Sequence, residues 1–314
     1  MKELQASDVV QLRHVGTEHE TTATISARAA AVRSLTVDGI ALVEPTTRVP
    51  DLPGMAGAVL APWPNRVEDG TWWYDGQRLQ LPVNEPELGN AIHGLLAQTD
   101  FAVRARSASS VELRTTIDPQ PGYPFALEVR VGYSLHPDGL SARVDLENRG
   151  TRAAPVAVGV HPYLRLGDTP LDDLRVSIDA DRAWLLDARN LPGVPRDVRG
   201  ATEDVRAPHP VDDVPAHALY RRMDIASRGL VHRLSAEDGR AVELWADATL
   251  PWTQWYVAPD LMTDDGPRRA VAVEPMSAPP NALRSGVDLY RLPPNGSRTW
   301  RWAIRLRQPE SLAR

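Results

Sequence analysis

Three polar side chains sit where apolar strands end or break, and an arginine adds to them. His161 closes the apolar part of "PVAVGVHPYLRL", residues 155–166, and is followed by Pro162. A residue before proline is biased toward extended backbone, so His161 ends a strand rather than opening a helix. Glu274 ends an alternating run in "RRAVAVEPMSAPPNAL" and is followed by Pro275. An unpaired carboxylate at a buried strand end is costly, which marks Glu274 as a candidate for chemistry. His93 lies in "NAIHGLL", where Gly94 permits close backbone approach, and Arg66 in "APWPNRVEDG" adds a two-point donor beside Trp63. A histidine and a glutamate facing one cavity would form an acid/base pair, with ordinary pKa values of ~6.5 and ~4.3. Each residue also has a structural reading. His161 can be a packed ring, His93-Gly94 a simple turn, and Arg66 a surface partner of Glu68 or Asp69.

Strands have to position these groups. "FALEVRVGYSL" puts Phe125, Leu127, Val129, Val131, Tyr133 and Leu135 on one face, with Glu128 and Arg130 on the other. After the turn signal "HPDG", "LSARVDLEN" repeats the pattern, which predicts a β-hairpin. "TWWYDGQRLQLPV" predicts a second hairpin around Asp75-Gly76. Further alternating runs are "VELRTTI", "LRVSI", "AVELWA" and "WRWAIRL", and no long stretch keeps a clean helical period. The 28 prolines and 21 glycines fall mostly between these runs, as antiparallel turns require. The turn-rich stretch 187–216 reads as a long surface excursion rather than an interdomain linker. The expectation is an all-β, large antiparallel sandwich with few short helices, residues 1–314 forming a single domain.

Bulk composition narrows the partners. A formal net charge of −6, with arginine-rich pieces short and interrupted, argues against nucleic acid. The absence of cysteine excludes disulfides, thiolate zinc sites and a cysteine nucleophile. No stretch approaches the length of a membrane span, and "MKELQASDVVQLRHVG" lacks the apolar core of a secretory leader, so no membrane association and a cytoplasmic location are expected.

The motifs, taken together and in order, resemble the aldose 1-epimerase (galactose mutarotase-like) family. They are "APWPNRVEDGTWWYDGQRLQLPVNE", "NAIHGLL", "GYPFALEVRVGYSL", "GLSARVDLENRG", "VGVHPYLRL", "VAVEPMSAPPNAL" and a late "LPPNGS", spanning about residues 50 to 300. "PWPNR" and "HPY" are most similar to the bacterial branch. The resemblance implies a β-supersandwich with an open cleft for a pyranose, and interconversion of the α and β anomers of an aldose without metal or organic cofactor. It implies that His161 protonates the ring oxygen and Glu274 takes the proton of the C1 hydroxyl. His93 would hydrogen-bond the ring region or a hydroxyl, Arg66 would orient sugar hydroxyls, and neighbouring Asn65 is a further substrate-binding candidate. Tryptophans offer faces for the apolar side of a pyranose, with Trp252 the expected contact and Trp63 and Trp255 as further candidates. The implied partner is a monosaccharide, and the implied assembly a monomer or homodimer.

One departure stands out. The family's "D-x-A-F/Y-T" aspartate meets "VPAHALYRRMD" here, with Ala216 in the acid's place. Asp213, His217 and Asp224 are the possible substitutes. Two other functions stay open: a sugar-phosphate or sulfosugar 1-epimerase, with Arg165 or Arg221-Arg222 as the anion site, and a non-catalytic carbohydrate-binding protein. A glycosidase needs two acids in the site, and only Glu274 presents itself.

Overall fold

The computed structural model describes residues 9–225 and 228–309. The reading of the N-terminal segment as lacking a leader falls partly on residues 1–8, outside the described residues. Strands dominate, and the helical elements among the described residues are three 3-10 turns and the four-residue α-helix Ala282–Ser285. The all-β expectation with few short helices is met.

Two large antiparallel sheets carry the fold. One has nine strands, in the order Ala102–Arg106, Ser110–Ile117, Leu127–His136, Gly139–Asn148, Ser297–Arg307, Ala241–Ala246, Leu230–Ser235, Arg175–Ser177 and His209–Pro210. The other runs Pro192–Asp197, Arg182–Leu186, His217–Arg221, Trp252–Thr263, Gly266–Met276, Gly159–Val160 and Val59–Leu60. Its eighth strand, Tyr163–Leu164, also pairs with Gly266–Met276. A four-stranded sheet, Val9–Val15 to Ile40–Ala41, completes the large elements.

Both hairpins form as their turn residues dictate. His136 pairs with Gly139 across Pro137-Asp138. Tyr74 pairs with Gln77 across Asp75 and Gly76, both at positive φ, the backbone a two-residue hairpin turn needs. Leu127, Val129, Val131, Tyr133 and Leu135 are buried as the alternation predicts. Glu128, on the outer face, is buried too, because Arg114, Arg130 and Arg149 converge on its carboxylate.

The shared core decides which face is free. Trp255, Val257, Val271 and Val273 join Val129, Val131 and Trp302 in one apolar cluster running from Val10 to Leu306. Alternation therefore turns Gln254, Tyr256, Ala272 and Glu274 to the opposite face of the eight-stranded sheet. The candidate site lies there. The stretch 187–216 is more ordered than a bare excursion, since Pro192–Asp197 pairs with Arg182–Leu186 as a hairpin.

Candidate active site

His161 is delivered by an interrupted strand. Gly159 pairs with Met276 and Tyr163 with Ala272, so the antiparallel register sets His161 opposite Glu274. Between those pairs the His161 backbone turns to the other side: its N–H donates to Ala58 O and its carbonyl accepts from Gly57 N–H. Pro162 has no N–H to rejoin the ladder, though its carbonyl still accepts from Val273. The ring is thereby fixed over the carboxylate, with Nε2 3.5 Å from Glu274 Oε1.

Both groups are nearly inaccessible, His161 at 5% and Glu274 at 2% exposure. Burial sets their protonation. Desolvation pushes the Glu274 carboxyl up to about 8, against the opposing pull of Arg66. Desolvation also pulls the His161 imidazole down to about 4, with Arg66 and His217 adding to the shift. At neutral pH the pair therefore shares one proton, held at rest on Glu274. His161 Nδ1 and Glu274 Oε2 have no hydrogen-bond partner among the described residues. Eight other buried side-chain polar atoms among the described residues also lack a partner, but these two belong to facing titratable groups that line one cleft, where a polar ligand can satisfy them.

Asn65 and His93 form the adjoining wall. Both have positive φ, a conformation more natural to asparagine than to histidine. They clasp each other: His93 N–H donates to Asn65 O, and Asn65 N–H donates to His93 Nδ1. An accepting Nδ1 leaves the hydrogen of the neutral ring on Nε2, ready to donate. Burial holds the ring's pKa well below the usual histidine range, with His161 and Arg66 contributing. The His93 and His161 rings meet edge to face, 5.3 Å apart. Gly94 earns its place, because a Cβ there would stand 2.3 Å from Ala61 O.

Arg66 does not pair with Glu68 or Asp69. Its Nε and Nη2 bind Glu85 side-on at 2.9 and 2.7 Å, and Nη1 reaches only Asn65 Oδ1, at 3.4 Å. Asn281 pins the strand Arg66–Glu68 from behind, its N–H donating to Arg66 O and its Oδ1 accepting from Glu68 N–H. The motif that carries Glu274 thus also anchors the strand that carries Arg66.

The floor is one rung of the sheet, read through the pairs His217↔Tyr256, Tyr256↔Ala272 and Tyr163↔Ala272. Small Ala272 leaves a trough between the two tyrosines. Tyr163 stacks on His161, centroids 5.2 Å apart, and His217 tilts against Tyr256 at 5.2 Å. The cleft of about 240 Å³ is lined by Asn65, Arg66, His93, His161, His217 and Glu274, by Tyr163 and Tyr256, and by Gly54 and Met55. That is below the roughly 300–1,000 Å³ of sites for drug-sized ligands and suits one small polar ring.

Trp252 is corrected by the structure. It shares the face of Gln254 and Tyr256 but lies beyond the cleft, covered by Trp184 at 4.7 Å, with its indole N–H donating to Asp288. Trp63 and Trp255 belong to the core. The aromatic faces of the cleft are Tyr163 and Tyr256, which sequence reasoning missed although Tyr163 lies two places after His161 in the same strand phase. Of the three substitutes for the absent aspartate, His217 lines the cleft, while Asp213 and Asp224 are exposed outside it. Arg165 is engaged by Glu44 and Asp168, Arg221 by Asp288, and Arg222 by Asp179, and none of them lines the cleft. No group of three or more His, Cys, Asp or Glu side chains among the described residues is placed to hold a metal ion.

Comparison with known proteins adds the family. A family model described as aldose 1-epimerase matches residues 11–305. YihR of Escherichia coli strain K12, itself uncharacterized, is 36% identical over 277 residues, 86% of this chain and 85% of that protein. Human galactose mutarotase is 31% identical over 159 residues, 48% of this chain and 45% of that protein. An aldose epimerase homologue from C. elegans superimposes with a TM-score of 0.83 at 16% identity, over 96% of this chain and 99% of that one. A putative aldose 1-epimerase from Escherichia coli K12 gives 0.78 at 20% identity, over 96% and 100%.

Proposed function

The chain belongs to the aldose 1-epimerase family, and on that premise we propose that it is a mutarotase opening and reclosing the pyranose ring of a free aldose, with His161 and Glu274 as its proton-transfer pair. The observation that carries this reading is the 3.5 Å approach of His161 Nε2 to Glu274 Oε1 inside a small polar cleft. A sugar lying there presents two oxygens at its anomeric centre, the ring oxygen and O1, to two groups that share one proton.

The cycle balances within the pair. The resting proton passes from Glu274 to His161, giving a carboxylate that faces the O1 hydroxyl and an imidazolium that faces the ring oxygen. Ring opening moves the O1 proton to Glu274 and the His161 proton to the ring oxygen, as the C1–ring oxygen bond breaks and C1 becomes a carbonyl. The pair is then back in its neutral form. His161 and Glu274 are both buried, so an ion pair between them is poorly solvated and its collapse to neutral partners favours opening. After rotation about C1–C2 the same steps run backward on the other face and give the second anomer.

Arg66, His93, Asn65 and His217 orient hydroxyls, and Tyr163 and Tyr256 offer aromatic faces to the ring. We propose that residues 1–314 form a single domain, supported by a core cluster running from Val10 to Leu306, and that it acts in the cytoplasm as a monomer or homodimer. No helix among the described residues is long and apolar enough to cross a membrane.

Polarimetry of freshly dissolved α-D-glucose and α-D-galactose tests the reaction, and thermal shifts with the same sugars, glucose 6-phosphate and sulfoquinovose test the substrate class. Faster mutarotation and shifts with uncharged hexoses support the reading. A response confined to the anionic sugars would replace the free hexose with a charged one. Binding without acceleration of any aldose would leave a carbohydrate-binding protein.

A further inference from the structure

The hairpin of Arg182–Leu186 and Pro192–Asp197 ends in a turn shaped by Asp187, whose Oδ1 accepts the N–H groups of Arg189 and Leu191 at 2.8 and 2.9 Å. At its tip the Arg189 guanidinium enters the loop before His93. It donates to Leu88 O at 2.9 Å, Gly89 O at 3.0 Å and Asn90 Oδ1 at 3.2 Å. It also meets Asp69 at 2.8 Å and Glu68 at 3.4 Å. The Arg189 carbonyl in turn accepts from Asn90 Nδ2, and that same amide donates to Glu85 Oε2 at 2.9 Å. Asn90 is fully buried, so its hydrogen bonds have no water to replace them. Glu85 then grips Arg66.

The other end of the hairpin is tied to the opposite wall. Ala183 pairs with Tyr220 in the strand that begins with His217. The hairpin therefore connects the strand of His217 to the segment Leu88–Asn90 beside Glu85 and Arg66, and Arg189 is where it latches.

We propose that Arg189 is a positioning residue for sugar binding, acting through Asn90 and Glu85 to fix the Arg66 guanidinium at the cleft. The proposal rests on the aldose reading above. Its half-exposed contacts with Asp69 and Glu68 contribute little. The carbonyls and the Asn90 amide do the holding, and a planar fork with several donors is what meets them. Lysine cannot reproduce it.

The test compares the wild-type chain with Arg189→Ala and Arg189→Lys by mutarotation kinetics, calorimetric sugar binding and thermal unfolding. Both variants are expected to raise KM and the sugar Kd about tenfold with kcat within about twofold, since Arg66 misaligns while the proton-transfer pair stays intact. Low concentrations of guanidinium ion should restore KM in Arg189→Ala and leave the wild type unchanged. Unchanged Kd in both variants overturns the proposal. So does a joint loss of kcat and melting temperature that guanidinium fails to restore, since that is the mark of a structural role. Wild-type protein that accelerates no aldose would instead sink the mutarotase reading, and Kd would still report on Arg189.

Discussion

His161 stands opposite Glu274 in the sheet register, its Nε2 3.5 Å from Oε1, beside the ladder N–H that Pro162 leaves out against Gly266–Met276. Proline removes one donor from the run, which resumes at Tyr163–Leu164, and at the same time stiffens the backbone beneath the imidazole. Burial then moves the two groups in opposite directions, the acid up and the base down.

Those shifts set the pH profile. The pair holds one proton between about 4, where His161 takes a second, and about 8, where Glu274 gives up its last. Mutarotation should be flat across that window. Below it no base remains, and above it no acid. The check is kcat/KM by polarimetry or exchange NMR from pH 3.5 to 9.5. A profile falling on either side of pH 6.5, as for an unperturbed histidine of pKa ~6.5, would contradict the assignment.

Replacing Arg66 with lysine removes the side-on fit to Glu85 and leaves one mobile point charge in the cleft. KM should rise about tenfold, a loss of ~1.4 kcal/mol, with kcat nearly kept. Steady-state kinetics on the best aldose decides it, and a fall in kcat alone would give Arg66 a role in the chemistry.

Gly94→Ala places a Cβ 2.3 Å from Ala61 O at a φ of +71°. Strain and overlap together should cost ~2–5 kcal/mol in urea unfolding. A variant as stable as the parent would show that the His93 turn can relax.

Acid stability should follow the buried histidines. His232 accepts from Asp179 N–H and meets Thr253 Oγ1, and burial lowers its pKa to about 3. With a folded pKa below the unfolded one, its stabilisation is complete above pH 6.5 and is lost as pH falls, because the unfolded chain takes the proton first. His232→Gln should reduce the loss of unfolding free energy between pH 7 and 5 by ~2 kcal/mol. An unchanged slope would mean that the ring is protonated in the fold.

Much of this was legible in the sequence. Alternation marked the hairpin of Leu127–His136 and Gly139–Asn148, and Asp75-Gly76 marked the short hairpin of Thr71–Tyr74 and Gln77–Gln80. His161-Pro162 marked the end of Gly159–Val160, whereas Glu274 lies inside Gly266–Met276, which runs on through Pro275. The meeting of the two could not be read, because sheet register brings together segments far apart in the chain. Trp252 misled because residue type says nothing of how far along a strand the cleft extends. Tyr163 and Tyr256 line the cleft instead, one on each side of Ala272, and that trough emerges only when three strands are laid side by side. Glu85, in a polar loop, gave no sign that it would grip Arg66.

The most direct measurement is mutarotation of fresh α-D-glucose and α-D-galactose by wild type, Glu274→Gln and His161→Gln, with melting curves to show that each variant folds. The shared-proton account predicts acceleration by the wild type on at least one sugar, and loss of at least about a hundredfold in each folded variant. Full activity in either variant would contradict it.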